Sequence, residues 1–159
     1  MPRIELSAAA AFKGRDVPDM LFTDVAQPDA YKPHLAAGTL WVMDAGGEPV
    51  AYLAALPHGE RLHIDEFDVA LEHQGKGIGR RLLAFVIDWA RANGFACLSL
   101  TTFRSIPWNA PFYASTGFQE WDPQDAPASI RQALMYEASK GLTDRCAMRL
   151  VLRAPRVIG

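Results

Sequence analysis

The stretch from Val69 to Gly94, VALEHQGKGIGRRLLAFVIDWARANG, constrains the fold more than any other part of the chain. A strand-like run ends near Val69 or Ala70, glycines follow at Gly75, Gly77 and Gly79, and a helical pattern then runs to Asn93 with Gly94 as its stop. Leu82, Leu83, Val86, Ile87 and Ala90 make an apolar stripe at helical spacing. Glycines at alternate positions leave backbone amides unshielded and permit positive φ. Opening straight into a helix, they aim those amides and the positive end of the helix dipole at one point, which suits a phosphate. Lys76, Arg80 and Arg81 add positive charge around it. The plainer alternative is a strand-to-helix turn with glycines for tightness alone.

Two well-known phosphate motifs do not fit. A P-loop needs GxxxxGK followed by Ser or Thr, and Gly75–Gly79 has neither the spacing nor the hydroxyl. The dinucleotide fingerprint GxGxxG is not met either, because Gly75-Lys76-Gly77-Ile78-Gly79 reads GxGxG and is followed by Arg80.

The rest of the chain supplies a setting of strands and helices. With 159 residues it fits one domain, covering 1–159, with a substantial core. A net charge of −2 argues against a large nucleic-acid footprint but leaves room for a small anion. Ile4 to Lys13 reads as a helix ended by Gly14, Val17 to Pro28 as an irregular stretch, and Asp29 to Ala37 as a short helix capped by Gly38. Thr39–Met43 and Pro49–Leu56 make a hairpin about the turn Asp44–Glu48. Arg61 to Ala70 reads as a strand with Leu62, Ile64, Glu66 and Asp68 on one face and His63, Asp65, Phe67 and Val69 on the other, unless a bulge resets the alternation. Neither face is purely apolar, which suggests one wet or functional face; solvated edge charge is the alternative. Phe95–Phe103 is an apolar strand, so strand, helix and strand form a βαβ unit with parallel strands. Asn109–Thr116, Phe118–Trp121, Ala128–Lys140 and Arg145–Arg153 follow as helix, strand, helix and strand.

Cys97 and Cys146 both sit in apolar strand-like runs and read as buried free thiols of a reducing cytoplasm. The four histidines share no metal-ligand spacing with each other or with the cysteines, so no metal is expected. No apolar run is long enough to span a bilayer, and the N-terminus lacks the order of a signal peptide. A cytoplasmic chain without membrane partners is the expectation.

The glycine turn resembles the acetyl-CoA loop of the GNAT superfamily of N-acetyltransferases, which reads Gln/Arg-x-x-Gly-x-Gly/Ala at the end of a strand and the start of a helix. Gln74-Gly75-Lys76-Gly77-Ile78-Gly79 matches it at every defined position. A second stretch, Trp108-Asn109-Ala110-Pro111-Phe112-Tyr113-Ala114-Ser115-Thr116-Gly117-Phe118, is similar to the family's late segment, in the right order and at a typical spacing. The resemblance covers Leu40 to Phe118 well and the ends less well. It implies an α/β fold with a central mixed, mostly antiparallel sheet, splayed between two adjacent parallel strands, with helices on both faces. In that fold a bulge commonly opens the Val69 strand, and acetyl-CoA lies as cosubstrate in the gap beside it. Phe67, Asp68 and Val69 would offer backbone groups to the thioester and pantetheine. Gln74, Gly75, Lys76, Gly77, Ile78, Gly79 and Arg80 would hold the pyrophosphate through backbone N–H groups. Asn109 would contact the pantetheine arm.

The implied reaction is acyl transfer from a thioester to a primary amine, and the amine must be neutral to attack. Glu66 is the candidate base, acting through a water because a carboxylate near pKa 4.3 is weak for direct abstraction; Asp68 and His63 come next. Attraction of a cationic substrate, or plain solvation, is the blander role for Glu66. The Val69 N–H would meet the developing oxyanion. Tyr113 would protonate the leaving thiolate, its alternative being a tyrosine packed with its hydroxyl satisfied locally. Neither cysteine looks like an acyl-carrying nucleophile, so direct attack in a ternary complex is expected. An acyl-CoA-binding sensor or interaction module without turnover is the alternative of a different class. The chain also departs from the family pattern. The strand that usually precedes the first helix is short or missing, so either the sheet has lost an edge or a partner chain covers it. The Trp121–Lys140 stretch is longer than usual; its helix, with Arg131, Met135 and Tyr136, reads as a cap on the acceptor site, a homodimer contact or a plain cover of the sheet. The acceptor, small molecule or peptide, is not encoded in the loops.

Overall fold

The computed structural model describes residues 1–23 and 26–153; residues 24 and 25 of the irregular Val17–Pro28 stretch lie outside the described residues. The elements follow the sequence pattern closely. Helix α1 (Pro2–Ala9) continues into a 3-10 turn (Ala10–Phe12), and a short helix α2 spans Met20–Thr23. A 3-10 turn (Pro28–Tyr31) leads into α3 (Lys32–Ala37), which Gly38 ends in the left-handed conformation at φ 68°. Pro33 sits in the first turn of α3, where its missing N–H costs nothing.

Strands β1 (Leu40–Ala45) and β2 (Glu48–His58) pair antiparallel about Gly46–Gly47, and β3 spans Arg61–Val69. Helix α4 runs from Ile78 to Ala92. Strand β4 (Cys97–Phe103), helix α5 (Ala110–Ser115), strand β5 (Gln119–Trp121), helix α6 (Ala128–Ser139) and strand β6 (Arg145–Val151) complete the order. The strands hydrogen-bond in the order β1-β2-β3-β4-β6-β5, with β3 parallel to β4 and the pairs β1–β2, β4–β6 and β5–β6 antiparallel. The fold is thus the mixed α/β sheet with flanking helices that the resemblance implies.

The chain divides into two compact units, Met1–His58 with His63–Trp89, and Gly59–Leu62 with Ala90 onward. In the first unit the register sets Val42 opposite Tyr52 and Trp41 opposite Leu53, so these pairs occupy opposite faces. On one face Tyr52 and Ala54 pack with Ile4 of α1, Tyr31 and Ala70. On the other, Trp41 meets Trp89 of α4 edge-on at 5.0 Å. In the second unit Arg61, at the start of β3, reaches Ser99 of β4 (2.8 Å) and Ser129 of α6 (2.9 Å). Helix α6 lays Ile130 against Trp121, Ala126 and Ala147. Glu137 of α6 accepts from Thr101 (2.6 Å) and Arg145 (2.8 Å), a pair of charges held against β4 and β6.

Candidate functional site

The end of β3 and the turn after it are shaped by three glycines with two different jobs. Gly75 and Gly77 adopt φ of 73° and 79°, and a side chain at either would point into open space. Their requirement is therefore conformational: a left-handed backbone that other residues adopt only under strain. Gly79 has ordinary helical backbone, but a Cβ there would stand 3.3 Å from Val69 Cγ2 and 3.6 Å from the Phe67 ring. What it allows is close approach of the head of α4 to the Val69 and Phe67 side chains of β3.

The first turn of α4 is bonded by Arg81 N–H to the Gly77 carbonyl at 3.0 Å. The N–H groups of Ile78 and Gly79 lie ahead of that bond, at the head of the helix. Lys76, Arg80 and Arg81 are exposed beside them. The Gln74 side-chain amide donates to the Val69 carbonyl at 2.9 Å and ties the turn back to the strand. The first position of the motif thus has a structural task besides any contact with a ligand.

β3 does not keep strict alternation. Asp65 bonds His34 at 2.8 Å, and Asp68 accepts from the Tyr52 hydroxyl at 3.0 Å. Tyr31 lies against both partners, 6.0 Å from the His34 ring and 5.6 Å from the Tyr52 ring. Residues three apart on a regular strand point to opposite faces, yet the partners of these two aspartates, His34 and Tyr52, both lie against Tyr31. The alternation is reset between them, as a bulge resets it. Asp65 and Phe67, placed on one face by the unbroken pattern, therefore separate: Asp65 faces α3, while Phe67 and Val69 face α4.

Asp68 ends a chain of polar groups inside the first unit. Tyr52 and Tyr31 hydroxyls lie 2.9 Å apart, and Tyr31 donates to Glu5 at 3.5 Å. Both tyrosines are buried, at 0% and 1% exposure, so each hydroxyl depends on the other links. Burial pushes Asp68 up to about 7, against the lowering effect of the Tyr52 hydrogen bond. Glu5 is raised by burial as well, and Tyr31 is pushed up to about 12. Tyr52 is raised too, by burial first and then by the Asp68 and Glu66 charges. None of Glu5, Tyr31 and Tyr52 stood out from spacing. The one available signal was a tyrosine inside the apolar run of β2, since a buried phenol needs a partner.

Of the candidate residues, Glu66, Phe67, Asp68, Val69 and Gln74 to Arg80 lie in the first unit, and Asn109 and Tyr113 in the second. Glu66 is half-buried. Asn109 caps α5, and its carbonyl accepts from Tyr113 N–H at 3.0 Å. Its side-chain Oδ1 is buried with no hydrogen-bond partner among the described residues. A buried acceptor of that kind fits an amide-bearing ligand. Tyr113 is buried at 8% exposure, with Phe112 and Phe118 rings at 5.3 and 5.5 Å. Burial raises both cysteine thiols, so neither is an activated nucleophile. Among the described residues no group of three His, Cys, Asp or Glu could hold a metal ion, and no helix is long and apolar enough to cross a membrane.

Comparison with known proteins gives these parts a context. The model of the acetyltransferase (GNAT) family matches residues 11–118. N-acetyltransferase family 8 member 2 of Rattus norvegicus is 32% identical over 99 residues, 58% of this chain and 44% of the relative. The chain spans about half the length of the curated relatives it matches. Among solved structures, the ribosomal-protein-S18-alanine N-acetyltransferase of Escherichia coli aligns with a TM-score of 0.65 at 19% identity, over 99% of this chain and 89% of that one. The PaiA N-acetyltransferase of Thermoplasma acidophilum, solved with coenzyme A, aligns at 0.66 and 12% identity, over 93% and 88%. At these identities the structural likeness speaks for the fold.

Proposed function

The chain belongs to the acetyltransferase (GNAT) family, and from that premise we propose that it transfers the acetyl group of acetyl-CoA to a primary amine by direct attack in a ternary complex. The observation that carries this reading is the turn Gln74–Arg80. Positive-φ glycines deliver it into α4 with the leading N–H groups of the helix ahead of the first internal bond. Such a turn takes a diphosphate through backbone donors, with Lys76, Arg80 and Arg81 supplying charge. The partnerless Asn109 Oδ1 is the acceptor for an amide of the pantetheine arm. Phe67, Asp68 and Val69 offer their backbone groups to the thioester and pantetheine.

Glu66 takes the proton of the incoming amine through a water. The Val69 N–H donates to the carbonyl oxygen as it gains charge, a contribution of about 2.7–4 kcal/mol for one such donor. Tyr113 gives its hydroxyl proton to the departing thiolate. The raised thiols of Cys97 and Cys146 argue against an acyl-cysteine intermediate.

The test is a panel of primary amines, small molecules and peptides with a free amino terminus, assayed for thiol release from acetyl-CoA. It is repeated on Tyr113→Phe and Glu66→Gln, each expected to lose about 10²-fold or more in turnover. Thermal unfolding with and without acetyl-CoA reports binding separately, because a ligand at about 100 times its dissociation constant stabilises a fold by about 2.7 kcal/mol. Binding without amine-stimulated thiol release would make the chain a sensor. Full turnover in both variants would remove the two catalytic assignments.

A further inference from the structure

Four oxygen-bearing side chains from four separate segments line up inside the first unit: Glu5 of α1, Tyr31 of the 3-10 turn, Tyr52 of β2 and Asp68 of β3. Their links run 3.5, 2.9 and 3.0 Å, so a hydrogen-bonded path joins the strand that carries Glu66 and Val69 to the first helix of the chain. The Ala26 N–H holds the far end in place by donating to both Glu5 oxygens, at 3.3 and 3.1 Å. Glu5 is partly exposed, while the two tyrosines between the carboxylates are sealed from solvent. Hydrophobic residues of the right size would fill this core at lower cost, because every polar member must be satisfied. A path of this form has a use where a proton must leave a site that excludes water.

We propose that Glu5, Tyr31, Tyr52 and Asp68 form a proton relay that carries the proton given up by the acceptor amine from β3 to the partly exposed Glu5 carboxylate of α1. The relay rests on the amine-acetylation reading above and deepens it. Glu66 takes the ammonium proton through a water and passes it to the Asp68 carboxylate two residues on in the same strand. Asp68 then gives a proton to the Tyr52 oxygen as Tyr52 gives its own to Tyr31 and Tyr31 gives its own to Glu5. One proton enters, one arrives, and neither phenol is left ionised. Each hydroxyl turns once to reset, with the Tyr31–Tyr52 bond free to run in either direction. Burial keeps both phenols protonated and brings Asp68 near neutrality, where it can accept and release a proton with little bias.

The charged surroundings of Asp68 make the pH behaviour specific. Tyr52 stabilises its charged form, and Glu5 opposes it. Glu66 acts on the two tyrosines, the amino terminus acts on Glu5, and Asp65 is engaged by His34. The α4 side of β3 presents Phe67 and Val69.

The experiment compares the full chain with Tyr31→Phe, Tyr52→Phe and Glu5→Gln. Acetyl-CoA is used with whichever of a diamine or a free-α-amine peptide the wild type acetylates, over a range of pH. Tyr31→Phe should lose about tenfold in kcat with KM for acetyl-CoA changed less than about twofold, and added imidazole should restore turnover in this variant without accelerating wild type. Tyr52→Phe should move the acidic limb of the profile to higher pH, and Glu5→Gln should move it to lower pH. Loss of one hydroxyl leaves the ring packing, and thermal unfolding of each variant checks that the fold persists. Wild-type kcat and pH profile in both tyrosine variants overturns the relay. So does a loss that imidazole leaves unchanged with the acidic limb fixed, which is the mark of a packing role. A wild type that acetylates no amine overturns the reading beneath it and the relay together, and is told apart by the absence of any wild-type rate.

Discussion

The turn from Gln74 to Arg80 and the buried chain from Glu5 to Asp68 serve the same strand and are built by opposite means. The turn is local: seven consecutive residues, exposed at Gly75, Lys76 and Gly77, whose shape follows from glycine backbone and one side-chain tie to Val69. The chain is non-local: its links join residues 26, 21 and 16 positions apart, and its shape exists only once α1, β2 and β3 are packed. Ligand affinity should therefore answer to the turn and barely to the chain. The pH dependence of stability should answer to the chain and barely to the turn.

The largest break in that comparison is expected at Gly77. A valine there must hold φ near 79°, a strained conformation for a β-branched residue. Strain of about 1–3 kcal/mol corresponds to roughly 5- to 150-fold in affinity for acetyl-CoA, if the turn keeps its shape only when bound. The melting temperature of the free chain should move little, since the residue faces open space and the exposed turn can relax. Calorimetric titration and thermal unfolding of Gly77→Val measure the two effects; a fallen melting point with unaltered affinity would reverse the assignment.

Asp68→Asn probes the other region. The Asp68 carboxyl, ordinarily at 3.8, is raised to about 7 by burial in the folded chain, so between these the folded state holds the extra proton. Stability is then fullest at the acid end and is lost as pH rises through about 7. Glu5, raised as well, adds a loss of the same sign above its ordinary value. Wild type should unfold at progressively lower temperature from about pH 4 to pH 7, and Asp68→Asn, which still accepts from Tyr52, should flatten most of that slope. Affinity for acetyl-CoA should stay within about twofold, because the backbone of β3 is unchanged. A slope that survives the substitution would mean that another group carries it.

What could be read in the sequence divides along the same line. Helix α4 and its turn were legible because a stripe at helical spacing and glycine punctuation are both short-range signals; the expected Gly79–Asn93 became Ile78–Ala92. The hairpin of β1 and β2, the β4 strand and α6 were legible for the same reason. The faces of β3 were not. Alternation assigned Asp65 and Phe67 to one side, and the reset that separates them depends on which partners α3 and β2 bring to the strand. Tyr31 and Glu5 were not legible at all, since nothing in residues 26 apart marks them as neighbours. For the candidate site this means that the turn proposed to hold a phosphate could be drawn from consecutive residues, while the groups bonded to the aspartates of β3 could not.

Lys76 should sharpen the comparison by a smaller amount. Its side chain is exposed beside the head of α4, so its attraction to a diphosphate acts through solvent. Lys76→Ala should weaken acetyl-CoA binding by about two- to fivefold at low salt, the range of a single exposed charge near a helix end, and by less in 0.5 M salt. A loss that ignores salt would point to a direct buried contact instead.

Gly79→Ala is the smallest expected effect and the sharpest one, because two terms of opposite sign meet there. The residue has ordinary helical backbone in α4, so alanine gains up to about 1 kcal/mol of helix propensity. Against that, the new methyl would stand 3.3 Å from Val69 Cγ2. That contact is with a side-chain end, which can yield by a few tenths of an ångström without moving the strand. The family motif that this turn resembles admits alanine at the same position. Stability and acetyl-CoA affinity should both stay close to wild type, in contrast to Gly77→Val two residues earlier. If Gly79→Ala instead costs as much affinity as Gly77→Val, the strand and the helix head are locked together more tightly than the Val69 contact alone requires, and the turn would owe its shape to packing rather than to glycine backbone.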